Sequence, residues 1–168
     1  MFKGLFQERR RSLSVRGMTS PDFVKGPVLD RFVNAAASAF IAPLAALSLI
    51  SDDEQIIKAS HGVPIGCIPR AEGFCNFTLD YPDVLECCDP QGDPRFADLP
   101  SVVGEPHVRY YVGAPLRLLN GISVGALCVA DTVSRQPASP DQKAYLQGLA
   151  RQASMTLENR LNLWGNAA

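Results

Sequence analysis

The chain has 168 residues, 46% hydrophobic and 20% charged, with a formal net charge of −1. That length fits one domain with a short extension, and that balance excludes a disordered or fibrous chain. The longest apolar run, residues 39–50, is broken by Pro43 and Ser48, so it is too short to span a bilayer and no membrane span is expected.

Charge is unevenly spread. Residues 1–25 carry Lys3, Arg9, Arg10, Arg11, Arg16 and Lys25 against Glu8 and Asp22, a net +4, and the rest of the chain carries −5. A globular part at −5 is a poor match for nucleic acid. The basic stretch has no apolar h-region and is not a secretory signal. Residues 1–26, which end at Gly26 before Pro27, read as a basic arm or linker. The cysteines, Cys67, Cys75, Cys87, Cys88 and Cys128, are odd in number. With no export signal they point to a reduced, cytoplasmic setting.

Taken in chain order, a helix is expected over 27–40, with Pro27 suited to its first turn. Its wide apolar stripe of Val28, Leu29, Phe32, Val33, Ala36 and Phe40 suits a helix lying on a sheet. Residues 44–51 read as a buried strand, turned by Ser51-Asp52-Asp53 into a partner over 55–61. Residues 64–70 read as a loop because Gly66 and Pro69 interrupt them. A short helix over 72–81, a strand over 83–88 and a second short helix opened by Asp93 as N-cap and Pro94 follow. Residues 109–118 and 122–131 form a hairpin around Asn120-Gly121. Ser139-Pro140-Asp141-Gln142 is a capping box, which starts a long helix reaching about Trp164. Leu146, Leu149, Ala150, Ala153, Leu157 and Leu161 form its stripe, with Met155 nearly opposite.

A two-residue hairpin loop would pair residues whose numbers sum to 241. Alternation then sends Val112, Ala114, Leu116, Leu118, Leu127 and Val129 to one face. Arg109, Tyr111, Gly113, Pro115, Val124, Ala126, Cys128 and Ala130 go to the other. The first face is bulky and suits the long helices. The second is mostly small, so a ligand or the short helices can approach it closely.

The segments Arg109-Tyr-Tyr-Val-Gly-Ala-Pro-Leu and Gly121-Ile-Ser-Val-Gly-Ala-Leu-Cys-Val-Ala-Asp131 resemble the closing hairpin of a GAF domain. Phe74-Cys75 and Asp93-Pro-Arg-Phe-Ala-Asp-Leu-Pro100 resemble the two helical insertions of its bacterial sensor type. The resemblance covers residues 27–163, which sets one domain over 27–164 and leaves 165–168 as a short tail. It implies an α+β sandwich, a central antiparallel sheet with N- and C-terminal helices on one face and helical insertions over a pocket on the other. It further implies a non-catalytic sensory module that binds a small molecule, forms a homodimer and serves a sensor histidine kinase or diguanylate cyclase. The ligand-lining candidates are Phe74, Cys75, Asp89, Phe96, Arg109, Tyr111, Gly113 and Cys128. Arg70, Arg95 and Arg109 are candidates for an anionic ligand, because a guanidinium fork matches carboxylate and phosphate. No particular cofactor is indicated.

Other chemistries find less support. Gly121-Ile-Ser123-Val-Gly125 spells a nucleophile elbow, but Ser123 enters a strand from a turn instead of leading into a helix. Cys87 and Cys88 are adjacent on a strand and should face opposite sides, which does not suit a metal site. Residues 89–127 contain His107 but no thiol, so no bilin attaches there, and the cyclic-GMP signature of some GAF domains is not visible. Some GAF proteins reduce free methionine sulfoxide through cysteines. Cys67 and Cys75 match two of those by location while a third is missing, which leaves a thiol-dependent reductase as the alternative to a ligand sensor, alongside a ligand-free association domain.

Overall fold

The computed structural model describes residues 2–19 and 27–166. Its strands are β1 (Leu44–Ser51), β2 (Glu54–His61), β3 (Gly66–Pro69), β4 (Leu85–Cys87), β5 (Tyr110–Arg117) and β6 (Ser123–Asp131). They form one sheet in the order β3-β2-β1-β6-β5-β4, with every neighbouring pair antiparallel. Helices α1 (Phe2–Met18), α2 (Asp30–Phe40) and α5 (Pro140–Asn166) build the core on one face. Two single-turn helices, α3 (Cys75–Thr78) and α4 (Pro100–Val103), and the turns around Phe96 build a second core on the other. The fold is the α+β sandwich expected from the sequence.

Strand alternation divides the two cores. On β1, Ala45, Leu47 and Leu49 face the long helices, and Ala46 and Ile50 face the insertions. The β1–β2 register moves from Leu47↔Ala59 to Ser48↔Ile57, which leaves Lys58 as a bulge. The bulge lets Ile57 face the insertions and Ala59 the long helices. Cys87, the last residue of β4, is buried in the insertion-side core, and Cys88, just beyond the strand, packs against the helix-side core.

The hairpin keeps the expected register from Tyr110↔Asp131 to Leu116↔Gly125. Its tip differs. Gly121 N–H donates to the Leu118 carbonyl, Leu118 N–H donates to the Ile122 carbonyl, and Gly121 has φ +85°. The loop is therefore the three residues Leu119-Asn120-Gly121, a form that also places glycine in the left-handed region. The added residue is absorbed where Arg117↔Ser123 gives way to Leu116↔Gly125, leaving Val124 as a bulge. Val124 consequently points into the helix-side core, not to the small-residue face expected for it.

Three local expectations are corrected. Residues 66–69 are not a loop but an edge strand paired to β2, with Pro69 at the sheet's border, where a missing N–H is tolerated. The helix expected over 72–81 is reduced to a 3-10 turn, Arg70–Glu72, and the single turn of α3. Asp93 does not cap a helix. Its carboxylate takes the Arg95 N–H at 2.9 Å and the guanidinium at 2.7 and 3.0 Å, which holds the carboxyl down to about 2. Turns follow, and the helix waits for Pro100 at a first-turn position.

The largest departure lies at the N-terminus. Residues 2–18, expected as an arm, form α1 on β1 and β6. Val15 and Met18 are fully buried. Arg11 is buried too; its Nε donates to the Ser123 carbonyl at 2.6 Å and its guanidinium pairs with Glu8. Ser12 Oγ donates to Asp52 Oδ1 at 2.8 Å. The rest of the expected arm and linker, residues 20–26, lies outside the described residues. At the other end α5 reaches Asn166, and 167–168 of the expected tail lie outside them.

The α5 start carries the capping box in full. Ser139 N–H donates to Gln142 Oε1 at 3.0 Å and Gln142 N–H to Ser139 Oγ at 3.1 Å. Beside it Glu86 of β4 accepts the Tyr110 hydroxyl and the Ala138 N–H, each at 2.7 Å, and Lys143 at 2.8 Å. Burial alone would raise this carboxyl, but the Ala138 N–H, Lys143 and Tyr110 outweigh it and hold the group below its ordinary value. One carboxylate thus ties the edge strand to β5 and to the start of α5.

Met18→Ala should lower unfolding free energy by about 2–5 kcal/mol, the cost of truncating a buried side chain, as measured by urea denaturation. An unpacked arm would leave the midpoint unchanged.

Candidate functional site

A cleft of about 260 Å³ opens between the insertion-facing side of the sheet and the segments carrying α3 and α4. Its floor is low because Ala46 of β1 and Cys128 and Ala130 of β6 project short side chains there. Phe74 and Tyr111 make an aromatic wall, and Gln55 and Ile57 of β2 continue the lining.

Ring stacking makes the wall rigid. Phe74 stacks on Tyr111 at 4.7 Å between ring centroids and on Phe96 at 4.8 Å, and Phe77 meets Phe96 edge-on at 5.0 Å. Such pairs add stability beyond burial alone. The Tyr111 hydroxyl lies 2.7 Å from Thr78 Oγ1 and 3.7 Å from Cys75 Sγ. It reaches them by passing over Gly113, where a Cβ would collide with the hydroxyl and sit 3.0 Å from Thr78 Oγ1. Burial, with the neighbouring thiols of Cys75 and Cys128, pushes the Tyr111 hydroxyl well above its ordinary value, so it stays protonated and can donate.

Two thiols meet at the floor. Cys75 and Cys128 are both buried, with their sulfurs 3.9 Å apart. The Cys128 thiol lowers the Cys75 value and, against the opposing effect of burial, Tyr111, Ser48 and Gln55 add to that lowering. Cys128 moves the other way, raised well above the usual range by Cys75 and then by burial. Cys75 is therefore the more acidic of the pair.

Of the residues singled out in the sequence, Phe74, Cys75, Tyr111 and Cys128 line the cleft together. Phe96 is buried and stacks on Phe74 without joining the lining. Gly113 makes room for the Tyr111 hydroxyl, not for a ligand. Asp89 is exposed and its Oδ1 accepts the Gly92 N–H. Arg109 donates to the Val102 and Val108 carbonyls. Arg95 is held by Asp93, and Arg70 by Glu8 through two 2.9 Å bonds. Cys67 lies exposed on β3, not beside Cys75. Among the described residues no three His, Cys, Asp or Glu side chains come together in a way that could hold a metal ion. Sequence reasoning missed Gln55, a polar side chain two positions before Ile57 on the same face. That polar break in a buried pattern was the available signal.

Gly113→Ala should cost about 1–3 kcal/mol through overpacking, read by thermal or urea unfolding. Tyr111→Phe in the same background should recover part of that loss, because the hydroxyl that the new Cβ meets is gone. Full additivity of the two losses would show that the glycine does not serve the tyrosine.

Among the described residues no helix is long and apolar enough to cross a membrane. The GAF domain family model matches residues 26–157. A cyclic di-GMP phosphodiesterase of Pseudomonas aeruginosa is 39% identical over 124 residues, which are 74% of this chain and 21% of that protein. The chain thus spans about one fifth of the length of that relative. Among solved structures, the GAF domain of an Acinetobacter phosphoenolpyruvate-protein phosphotransferase superposes with a TM-score of 0.67 at 19% identity, over 96% of each chain. A domain of a putative two-component sensor histidine kinase from Sinorhizobium meliloti gives 0.64 at 14% identity, over 84% of this chain and 96% of that one. These two likenesses speak for the fold. With the family model over most of its length, the chain belongs to the GAF domain family, a family of sensory and regulatory modules.

Proposed function

We propose that this chain is a non-catalytic sensory module that binds a small molecule in the cleft between the sheet and its two insertions. The carrying observation is the cleft itself. It is about 260 Å³ in volume, mostly apolar in lining, and set on the sheet face opposite the long helices. The strands that form its floor send their alternate side chains into α1, α2 and α5. Occupancy that shifts β1 or β6 is felt one sheet thickness away by those helices. The module acts in the cytoplasm as a homodimer. Leu5, Phe6 and Leu13 of α1 and Tyr145 and Met155 of α5 are exposed and offer apolar area to a second copy. The output is a signalling domain, such as a histidine kinase or a cyclic-di-GMP enzyme, and the Pseudomonas relative supports the latter.

A fragment screen by amide NMR tests the reading. Binders should shift the amides of Phe74, Cys75, Cys128 and Ala130. Ala130→Phe, which fills the cleft from a half-exposed position, should remove those shifts without lowering the melting temperature. Binders that are indifferent to Ala130→Phe would move the site elsewhere.

A second reading rests on Cys75 and Cys128. In place of the expected Cys75–Cys67 pairing, thiol chemistry would run through these two sulfurs, 3.9 Å apart on the cleft floor. With hydrogen peroxide as oxidant, Cys75 attacks one oxygen, breaking the O–O bond, and becomes a sulfenic acid with release of water. The sulfenic acid then condenses with the Cys128 thiol, releasing a second water and leaving a disulfide. The predicted product is about 2 Da lighter and reverts with dithiothreitol, and peptide mapping joins Cys75 to Cys128. If peroxide modifies only the exposed Cys67, this reading fails.

A further inference from the structure

We propose that the cleft selects a neutral, largely apolar molecule of aromatic size that donates one N–H or O–H hydrogen bond to Gln55, and that it excludes anions. The inference rests on the cleft being the ligand site and names the chemistry it takes. Three observations carry it.

The first is charge. Among the described residues no lysine, arginine or histidine lines the cleft, and its two carboxylates, Glu72 and Glu105, stand at its exposed rim. The arginines that the sequence offered to an anion are engaged elsewhere by Glu8, Asp93 and backbone carbonyls. A carboxylate or phosphate entering a mostly apolar cleft loses its hydration and gains no cation in return, a loss that is large for an unpaired charge.

The second is size and shape. A cavity of roughly 150 Å³ holds one benzene, so a cleft of about 260 Å³ has room for about ten heavy atoms. The Phe74–Tyr111 stack at its wall offers a face suited to a further flat, apolar group.

The third is an unpaired acceptor. Gln55 is 5% exposed and lines the cleft. Its Nε2 donates to Ser48 Oγ at 3.2 Å, which fixes the carboxamide and leaves Oε1 as the one buried side-chain acceptor without a partner among the described residues. A buried polar atom left unpaired is costly. Gly73 covers this oxygen so closely that a Cβ there would collide with it. The Gly73 N–H does not satisfy it, being turned to the Arg70 carbonyl at 3.3 Å. A ligand N–H or O–H supplies the missing partner where the Gly73 backbone gives way from above the oxygen.

The test is titration of the full chain with three probes of nearly equal size: indole, benzofuran and benzoate. Binding is followed by calorimetry and by the Gly73 and Phe74 amide shifts. Indole should bind, with benzofuran, which has oxygen in place of N–H, weaker by about tenfold, the factor that corresponds to one hydrogen bond. Benzoate should not bind in the cleft. Gln55→Met should bring indole and benzofuran together; because the first comparison uses the unaltered protein, it stands even where the variant folds poorly. Equal binding of indole and benzofuran, or preference for the carboxylate, overturns this inference and leaves the cleft as a ligand site. Failure of all three to shift the cleft amides overturns the inference, and if the fragment screen is also silent the ligand reading falls with it.

Discussion

The site depends on how one tyrosine is held. Tyr111 is fixed along its ring by Phe74 and at its hydroxyl by Thr78. Both partners belong to the α3 segment, so a side chain rooted in the sheet fastens the insertion to it. The bridge needs a gap in β5, which Gly113 supplies two residues on. A buried hydroxyl without a partner would be a liability; here it closes the cleft's inner end and meets Cys75. The cleft is the space left where short side chains continue along β1 and β6 beyond the reach of this bridge.

Each central strand serves two cores. Ala46 and Cys128 line the cleft, while their neighbours Leu47, Leu127 and Val129 pack beneath the long helices. Gly125 lets β6 lie against the backbone of Ser48, where a Cβ would collide with the Ser48 carbonyl. β1 and β6 therefore have little freedom to slide past one another. A change in the floor is thus taken up by β1 and β6 together.

Much of this architecture was legible in the sequence. The helix stripes, the capping box and the body of the hairpin follow from period and turn chemistry. What escaped was decided by contacts between distant residues. α1 hides because its buried stripe includes Arg11 and Ser12, which become tolerable inside only once Ser123, Glu8 and Asp52 are folded against them. At the hairpin tip, Asn120-Gly121 suits both a two-residue and a three-residue loop, and the choice flips Val124 through a bulge. Within the site, Phe74, Cys75, Tyr111 and Cys128 were visible as a group through the small-residue face. Their pairing was not. Cys75 and Cys128 are 53 residues apart, and only the packing of α3 on β6 sets sulfur against sulfur.

The arginines show the same limit from the other side. A guanidinium in a pocket-forming segment suggests an anionic ligand, and the inference is sound if the fork is free. Here the fold uses each fork for itself. Arg70 locks the edge of β3 to α1 through Glu8, Arg95 shapes the turns after Asp93, and Arg109 holds the Val102 and Val108 carbonyls. These bonds organise the loops around the cleft, and in doing so they keep positive charge off its lining. The electrostatic character of the site is thus set by what its surroundings have already consumed. With those cations off the wall, the proposed ligand is left with hydrogen bonding at Gln55 and shape against the Phe74–Tyr111 face.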